Sequence, residues 1–184
     1  MSRIVLPATD LTKAKSVKVK KRRPRRTLEQ KTAQQLISEA DKWFSRYVRL
    51  RDSVWTGSQW VSSCICCGKP LIVMDDSGKW RLGTDNGHFI SRGLFSLRFN
   101  EYNCNAQSSH CNAWKDKQTM LEGYRGGIRD KYGETTLAEL IDLSKSPEAY
   151  KRPPKHELLE IIHDSKTYID FALAHPENYL ANNR

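Results

Sequence analysis

The chain has 184 residues, a mean hydropathy of −0.68, 38% hydrophobic and 28% charged residues, and a formal charge of +10. That length suits one ordinary domain with appendages, and five Trp with seven Tyr argue against disorder throughout. No apolar run approaches the roughly 20 residues of a membrane span, and MSRIVLPATD lacks the apolar stretch of an export signal, so the expectation is a cytoplasmic protein.

The positive charge is concentrated near the start. Between Leu11 and Leu28 lie nine basic residues (Lys13, Lys15, Lys18, Lys20, Lys21, Arg22, Arg23, Arg25, Arg26) and no acid, which leaves the rest nearly neutral. Residues 1–26 show no helical or strand periodicity and read as a disordered basic arm. The run Lys20, Lys21, Arg22, Arg23, Arg25, Arg26 is expected to dock on nucleic-acid phosphates, adding affinity by counterion release and little sequence selectivity. At Thr27 the pattern changes. Thr27 with Gln30 reads as a capping box, and apolar residues recur at three- and four-residue spacing from Ala33 to Val48. The spacing predicts a long amphipathic helix over 27–52 that packs on the domain behind it.

Residues 53–62 read as a connector or short strand, opening a compact region over 53–145. Leu71–Met74 and Trp80–Leu82 around Asp75-Asp76-Ser77-Gly78 predict a β-hairpin. A second strand pair is expected at His88–Ser91 and Leu97–Tyr102, then a helix from about Asn112 to Gly133 and a short one over Thr135–Leu143. Pro147, Pro153 and Pro154 mark a linker at 146–154. The last helix is expected over Lys155–Ala174, within a terminal segment running to 184.

Five cysteines, an odd number in two clusters, fit metal ligation in a reducing compartment better than a disulfide framework. Cys64-Ile65-Cys66-Cys67-Gly68 sets two thiolates at i and i+3, with a Gly for the tight turn behind them. Cys111, beside His110, lies about forty residues on, as a zinc-ribbon-like site expects. Between the two clusters stands Asp85-Asn86-Gly87-His88-Phe89-Ile90-Ser91-Arg92.

Knuckle, Gly-His-Phe, Asn103, second cluster and then Asn112 directly after the last Cys together resemble the HNH, or ββα-metal, endonucleases in an H-N-N variant. The longer string GHFISRG…LRFNEYNCNAQ…HCN…YRGGI…KYGE resembles the phage recombination nuclease family called NinG, or Rap, over roughly Tyr47 to Leu143. The resemblance implies an α+β fold with a small zinc-stapled ββα-metal core flanked by N- and C-terminal helices. It implies that His88 is the general base and that Asn103 pins the loop carrying it. Asn112 and Asp85 would bind a catalytic Mg²⁺ or Mn²⁺; Asp85 takes the carboxylate role because many HNH enzymes carry aspartate where Gly87 stands. Lys115, with Arg92, would contact DNA backbone.

Cys64, Cys67 and Cys111 would hold a structural Zn²⁺. The family's second knuckle is usually Cys-x-x-Cys, but here it reads Ser108-Ser109-His110-Cys111, so the fourth ligand stands open among His110, Cys104 and Cys66, or water. The implied function is a structure-selective endonuclease cutting branched double-stranded DNA such as junctions and D-loops. Partners could include a second copy of the chain and other recombination proteins. The competing readings are a non-catalytic zinc-stabilised DNA-binding mediator and, because phosphate attraction does not separate the two nucleic acids, RNA binding.

Overall fold

The computed structural model describes residues 26–113 and 117–180. The first long helix, α1 (Ala33–Arg51), starts later than Thr27 because the sequence contains two Thr-x-x-Gln boxes and the second is the one that caps it. The Gln35 N–H donates to Thr32 Oγ1 (3.3 Å) and the Thr32 N–H donates to Gln35 Oε1 (3.0 Å). The first box forms only a turn, in which the Thr27 N–H donates to Gln30 Oε1 and the Lys31 N–H to the Leu28 carbonyl. Starting at Ala33 sets Leu36, Ile37 and Ala40 against Leu158 and Ile162 of the last helix, α6 (Lys155–Ala174). Each buried Leu or Ile side chain here contributes about 1.5–3 kcal/mol. The two terminal helices thus form one packed pair.

Immediately after α1, β1 (Ser53–Trp55), β2 (Trp60–Ser63) and β3 (Pro70–Met74) form an antiparallel sheet in that order. Its inner face supplies Trp60, Val73 and Met74 to a cluster with Leu50 of α1 and Ile169 and Ala172 of α6. The expected hairpin beyond β3 is present as a tight turn, closed by the Met74–Trp80 bridge and the Asp75 N–H to Lys79 carbonyl bond.

The second strand pair is displaced from its expected position. β4 (Thr84–His88) and β5 (Cys104–Ser108) pair antiparallel, from Thr84 opposite Ser108 to His88 opposite Cys104. Both strands are rich in Asn, Asp, Gln and Ser, so β-propensity does not mark them. Leu97–Tyr102, expected as a strand, instead holds the single-turn helix α2 (Phe95–Arg98) and a turn. The fully buried Leu97 side chain packs there against Ile128, Leu137 and Leu140. β5 has α1 on one face, where Cys104 meets Phe44 and Val48. It leads into α3 (Ser109–Ala113), followed by α4 (Lys117–Tyr132) and α5 (Glu134–Lys145).

α4 lies directly on the cysteine knuckle. A Cβ at Gly127 would sit 2.0 Å from the Ile65 carbonyl oxygen, and one at Gly123 would sit 2.9 Å from that of Cys66. Only glycine permits that approach, which gives Gly123 and the second glycine of the Tyr-Arg-Gly-Gly-Ile string their structural reason. Among the described residues no helix is long and apolar enough to cross a membrane.

Candidate functional site

Two groups of chemistry-bearing residues meet where β4 and β5 run into α3. The first is the sulfur cluster. The knuckle turn is closed by the Cys64 N–H to Lys69 carbonyl (2.9 Å) and Gly68 N–H to Cys64 carbonyl (2.8 Å) bonds, with Gly68 at φ +69°. β5 and α3 bring Cys111 to it, and the sulfurs of Cys64, Cys67 and Cys111 all lie within 4.8 Å of one another. The Cys67–Cys111 separation is 3.7 Å. A tetrahedral zinc with Zn–S of about 2.3 Å sets its sulfurs about 3.8 Å apart, so the three thiols fit such an ion.

Backbone and side-chain donors favour the thiolate at Cys64. The Cys66 thiol and the N–H groups of Ser108, Cys66 and Cys67 push its pKa down to about 3 against the effect of burial, and the Ser108 N–H lies 3.3 Å from the sulfur. Burial pushes the Cys111 thiol up. Ser108 Oγ lies 3.8 Å from Cys64 Sγ and accepts from the Cys111 N–H, so a hydroxyl stands at the cluster where the family's fourth cysteine would be. Of the other three candidates, His110 is exposed and outside the cluster and Cys104 is fully buried against α1, while Cys66 borders the cluster, its thiol bonding Cys64 and its Sγ engaged by the Gln107 amide at 2.9 Å.

The second group lines a cleft of about 450 Å³ formed by Ser45, Asp85, Asn86, His88, Arg92 and Asn112 together with Ser91. Asn112 Nδ2 donates to Asp85 Oδ2 (3.0 Å), so the expected ligand pair is brought together, and the Asn112 amide oxygen is left for a cation. Asn86 Oδ1, which the sequence reading did not select, is buried and has no hydrogen-bond partner among the described residues. A carboxylate and amide oxygens form a hard donor set that suits Mg²⁺ or Mn²⁺ and not a thiophilic ion.

The Gly at position 87 has a steric cause. Gln107 crosses the strand above it to reach Cys66, and a Cβ on Gly87 would lie 2.2 Å from Gln107 Oε1. No side chain fits there, which leaves Asp85 as the carboxylate that β4 brings into this cleft.

His88 is held by the chain around it. Its Nε2 lies 3.0 Å from the Arg98 carbonyl, an acceptor only, so the neutral ring carries its proton on Nε2 and its lone pair on Nδ1. Burial lowers its pKa and the Arg92 charge adds to this, against the raising effect of the Arg98 and Asn86 carbonyls and of Asp41. Arg98 is fixed in turn. Its guanidinium makes a bidentate pair with Asp41 of α1 (2.7 and 2.5 Å) and donates to the Arg92 carbonyl (3.0 Å). Asp41 and Arg98 are further residues that sequence reasoning missed. Asp41 falls on a helix more than fifty residues before Arg98, and no local signal links them.

Asn103 is fully buried and closes the 15-residue connection between β4 and β5. Its side chain accepts from the Ile90 N–H (2.8 Å) and donates to the carbonyls of Ile90 (3.0 Å) and Leu97 (2.8 Å). Arg92 is exposed at the cleft rim and Arg26 is exposed at the start of the described chain. Lys20, Lys21, Arg22, Arg23, Arg25 and Lys115, with the rest of the arm through residue 25, lie outside the described residues.

No curated protein and no solved structure is matched by the chain. Residues 5–170 match the family described as Bacteriophage Lambda NinG protein, a span that takes in the knuckle, the cleft, both sheets and most of α6. By that match the chain belongs to the NinG family.

Proposed function

We propose that the chain is a metal-dependent, structure-selective DNA endonuclease of phage recombination with an HNH-type site. The observation that carries this reading is the cleft itself: His88, with its proton assigned to Nε2, lines the same cavity as the bonded pair Asp85–Asn112. The neutral Nδ1 takes a proton from the water that attacks phosphorus. Burial favours that neutral form at neutral pH, the state a general base needs. Asp85 and Asn112 hold a Mg²⁺ or Mn²⁺, which when bound supplies positive charge to the phosphate as the leaving oxygen departs. Asn103 keeps the loop after His88 in place, and Arg92 at the rim draws in the backbone phosphates.

Strand pair, clamped loop and following helix support the ββα-metal reading, and the three-thiol cluster supports a Zn²⁺ that staples it. Cutting both strands of a four-way junction requires two such sites, which a homodimer supplies. The test is a cleavage assay with Mg²⁺ and with Mn²⁺ on junction, flap, D-loop and linear duplex DNA. Cleavage of branched DNA in preference to the linear duplex is the expected result. No cleavage of any substrate with either ion would instead leave a zinc-stabilised DNA-binding module.

A further inference from the structure

Outside the cleft, a row of cations on α1 and α6 is stacked on two tryptophans. Lys42, Arg46 and Arg49 follow one another at helical spacing along α1. The Arg46 guanidinium sits 5.1 Å from the Trp43 ring centre and 5.6 Å from that of Trp80, and Arg49 sits 4.9 Å from Trp80. Lys42 and Lys166 of α6 lie 5.0 and 4.8 Å from Trp43. The rings are themselves fixed, Trp43 by its N–H to Glu39 (2.9 Å) and both by packing on the core. Lys42 shares Glu39 with Lys31, but among the described residues Arg46, Arg49 and Lys166 have no ion pair. Burial and the Arg46 charge lower the pKa of Arg49 and the Asp85 carboxylate opposes them, so Arg49 stands between a like charge on the helix and the acid of the cleft.

This stripe has a direction. At one end a groove of about 720 Å³ is lined by Arg26, Lys31, Ser38 and Lys42 together with Glu39, whose charge Lys31 and Lys42 share, and Arg26 is the last residue of the basic arm. At the other end Arg49 donates to the Thr84 carbonyl beside Asp85, and Ser45 of α1 lines the candidate cleft. The seven helical steps from Lys42 to Arg49 rise about 10.5 Å, the axial length of about three phosphates of one DNA strand. The tryptophan faces are covered by cations, so the surface offers charge and not a platform for bases.

We propose that Lys42, Arg46, Arg49 and Lys166 form a track for the phosphates of duplex DNA, running from the basic arm into the cleft, with Trp43 and Trp80 holding the cations in place. The track rests on the nuclease reading only for the identity of its partner. The test is fluorescence anisotropy with labelled junction, linear duplex and matched RNA duplex, without added divalent ion, across a range of salt. Arg46→Gln should lose about tenfold in DNA affinity, as expected for one hydrogen bond to a charged group. It should also lower the slope of log affinity against log salt by about one, equally for junction and linear duplex. Arg46→Lys should restore the slope, and Lys151→Gln, a remote ion-paired surface position, should match the unmodified protein.

Affinity and slope unchanged in Arg46→Gln would overturn the track, whether or not the protein cleaves DNA. A loss confined to RNA would overturn the DNA assignment. Should Arg46→Gln lower the melting temperature markedly, Lys42→Gln at its exposed position carries the same test. If the unmodified protein binds DNA through Arg46 and cuts nothing, the nuclease reading falls and the track stands.

Discussion

The knuckle and the cleft differ in kind although Cys111 and Asn112 are neighbours in the chain. The knuckle is a soft-donor site built from backbone: N–H groups aimed at Cys64, two glycine-permitted contacts with α4, and three sulfurs already at zinc spacing. The cleft is a hard-donor site built from side chains borrowed from four elements, with the His88 ring on the Arg98 carbonyl and Arg98 held in turn by Asp41. Soft sulfur and hard oxygen donors favour different ions, so adjacent residues of this kind need not compete for one metal. Two of the knuckle's three sulfurs are set by one local turn and need a single distant strand and helix to add the third, whereas every group of the cleft depends on several elements docking.

The largest effect that would break this comparison is expected at His88. His88→Ala should lower cleavage by roughly two to four orders of magnitude, the usual contribution of a general base, with DNA affinity retained. Retained cleavage would move the base elsewhere. Asp85→Ala and Asn112→Ala should each lose about ten- to a hundredfold, part of it recovered at high Mn²⁺, with no change in melting temperature.

Damage to the knuckle should look different. Protein purified without chelator should carry about one zinc per chain, and Cys111→Ser should lower the melting temperature by roughly 10 °C as well as the cleavage rate. A metal-free protein with an unchanged melting curve in EDTA would remove the staple. Asn103→Ala leaves two carbonyls and an N–H of the loop without their partner and should cost about 1–3 kcal/mol of stability along with some activity.

The smallest expected effect is on pH dependence. A general base works only when neutral, and burial lowers the His88 pKa. The acid limb of the rate profile should therefore have its midpoint below the ordinary histidine value of 6.5. Stability should fall in the same window as pH drops, because the unfolded histidine takes up a proton that the folded one resists. Asp41→Asn, which weakens the hold on Arg98, should alter the rate and this midpoint more than the melting temperature.

The two sites were unequally legible in the sequence. Cys-x-x-Cys-Gly announces its own geometry because its ligands are local, and the apolar stripes of α1 and α6 mark the helices that pack together. The hairpin after β3 was legible from its turn residues. β4 and β5 were not, since Thr-Asp-Asn-Gly-His has no strand former but Thr and is held by tertiary contacts, among them the Tyr124 hydroxyl on the Gly87 carbonyl. His88, Asn103 and Asn112 were legible only through resemblance, as nothing in their own spacing requires them to meet. Ser108 was legible as the departure from the second Cys-x-x-Cys, but Asp41 behind Arg98 and the orphaned Asn86 oxygen depend on folding, and no local pattern in the chain points to them.

The contact between Gly87 and Gln107 constrains the order in which this site could change. An aspartate at position 87, where many HNH enzymes carry it, cannot be accepted while Gln107 lies across the strand, so Gly87→Asp alone should be poorly folded. Shortening Gln107 first would remove Oε1, the nearest atom at 2.2 Å, while its Cβ stayed 2.8 Å from the added Cβ, and would also release the amide that engages Cys66 beside the knuckle. The two positions are therefore epistatic. A route from this arrangement to the commoner one passes through an intermediate whose structural staple is weakened before its cleft gains a ligand.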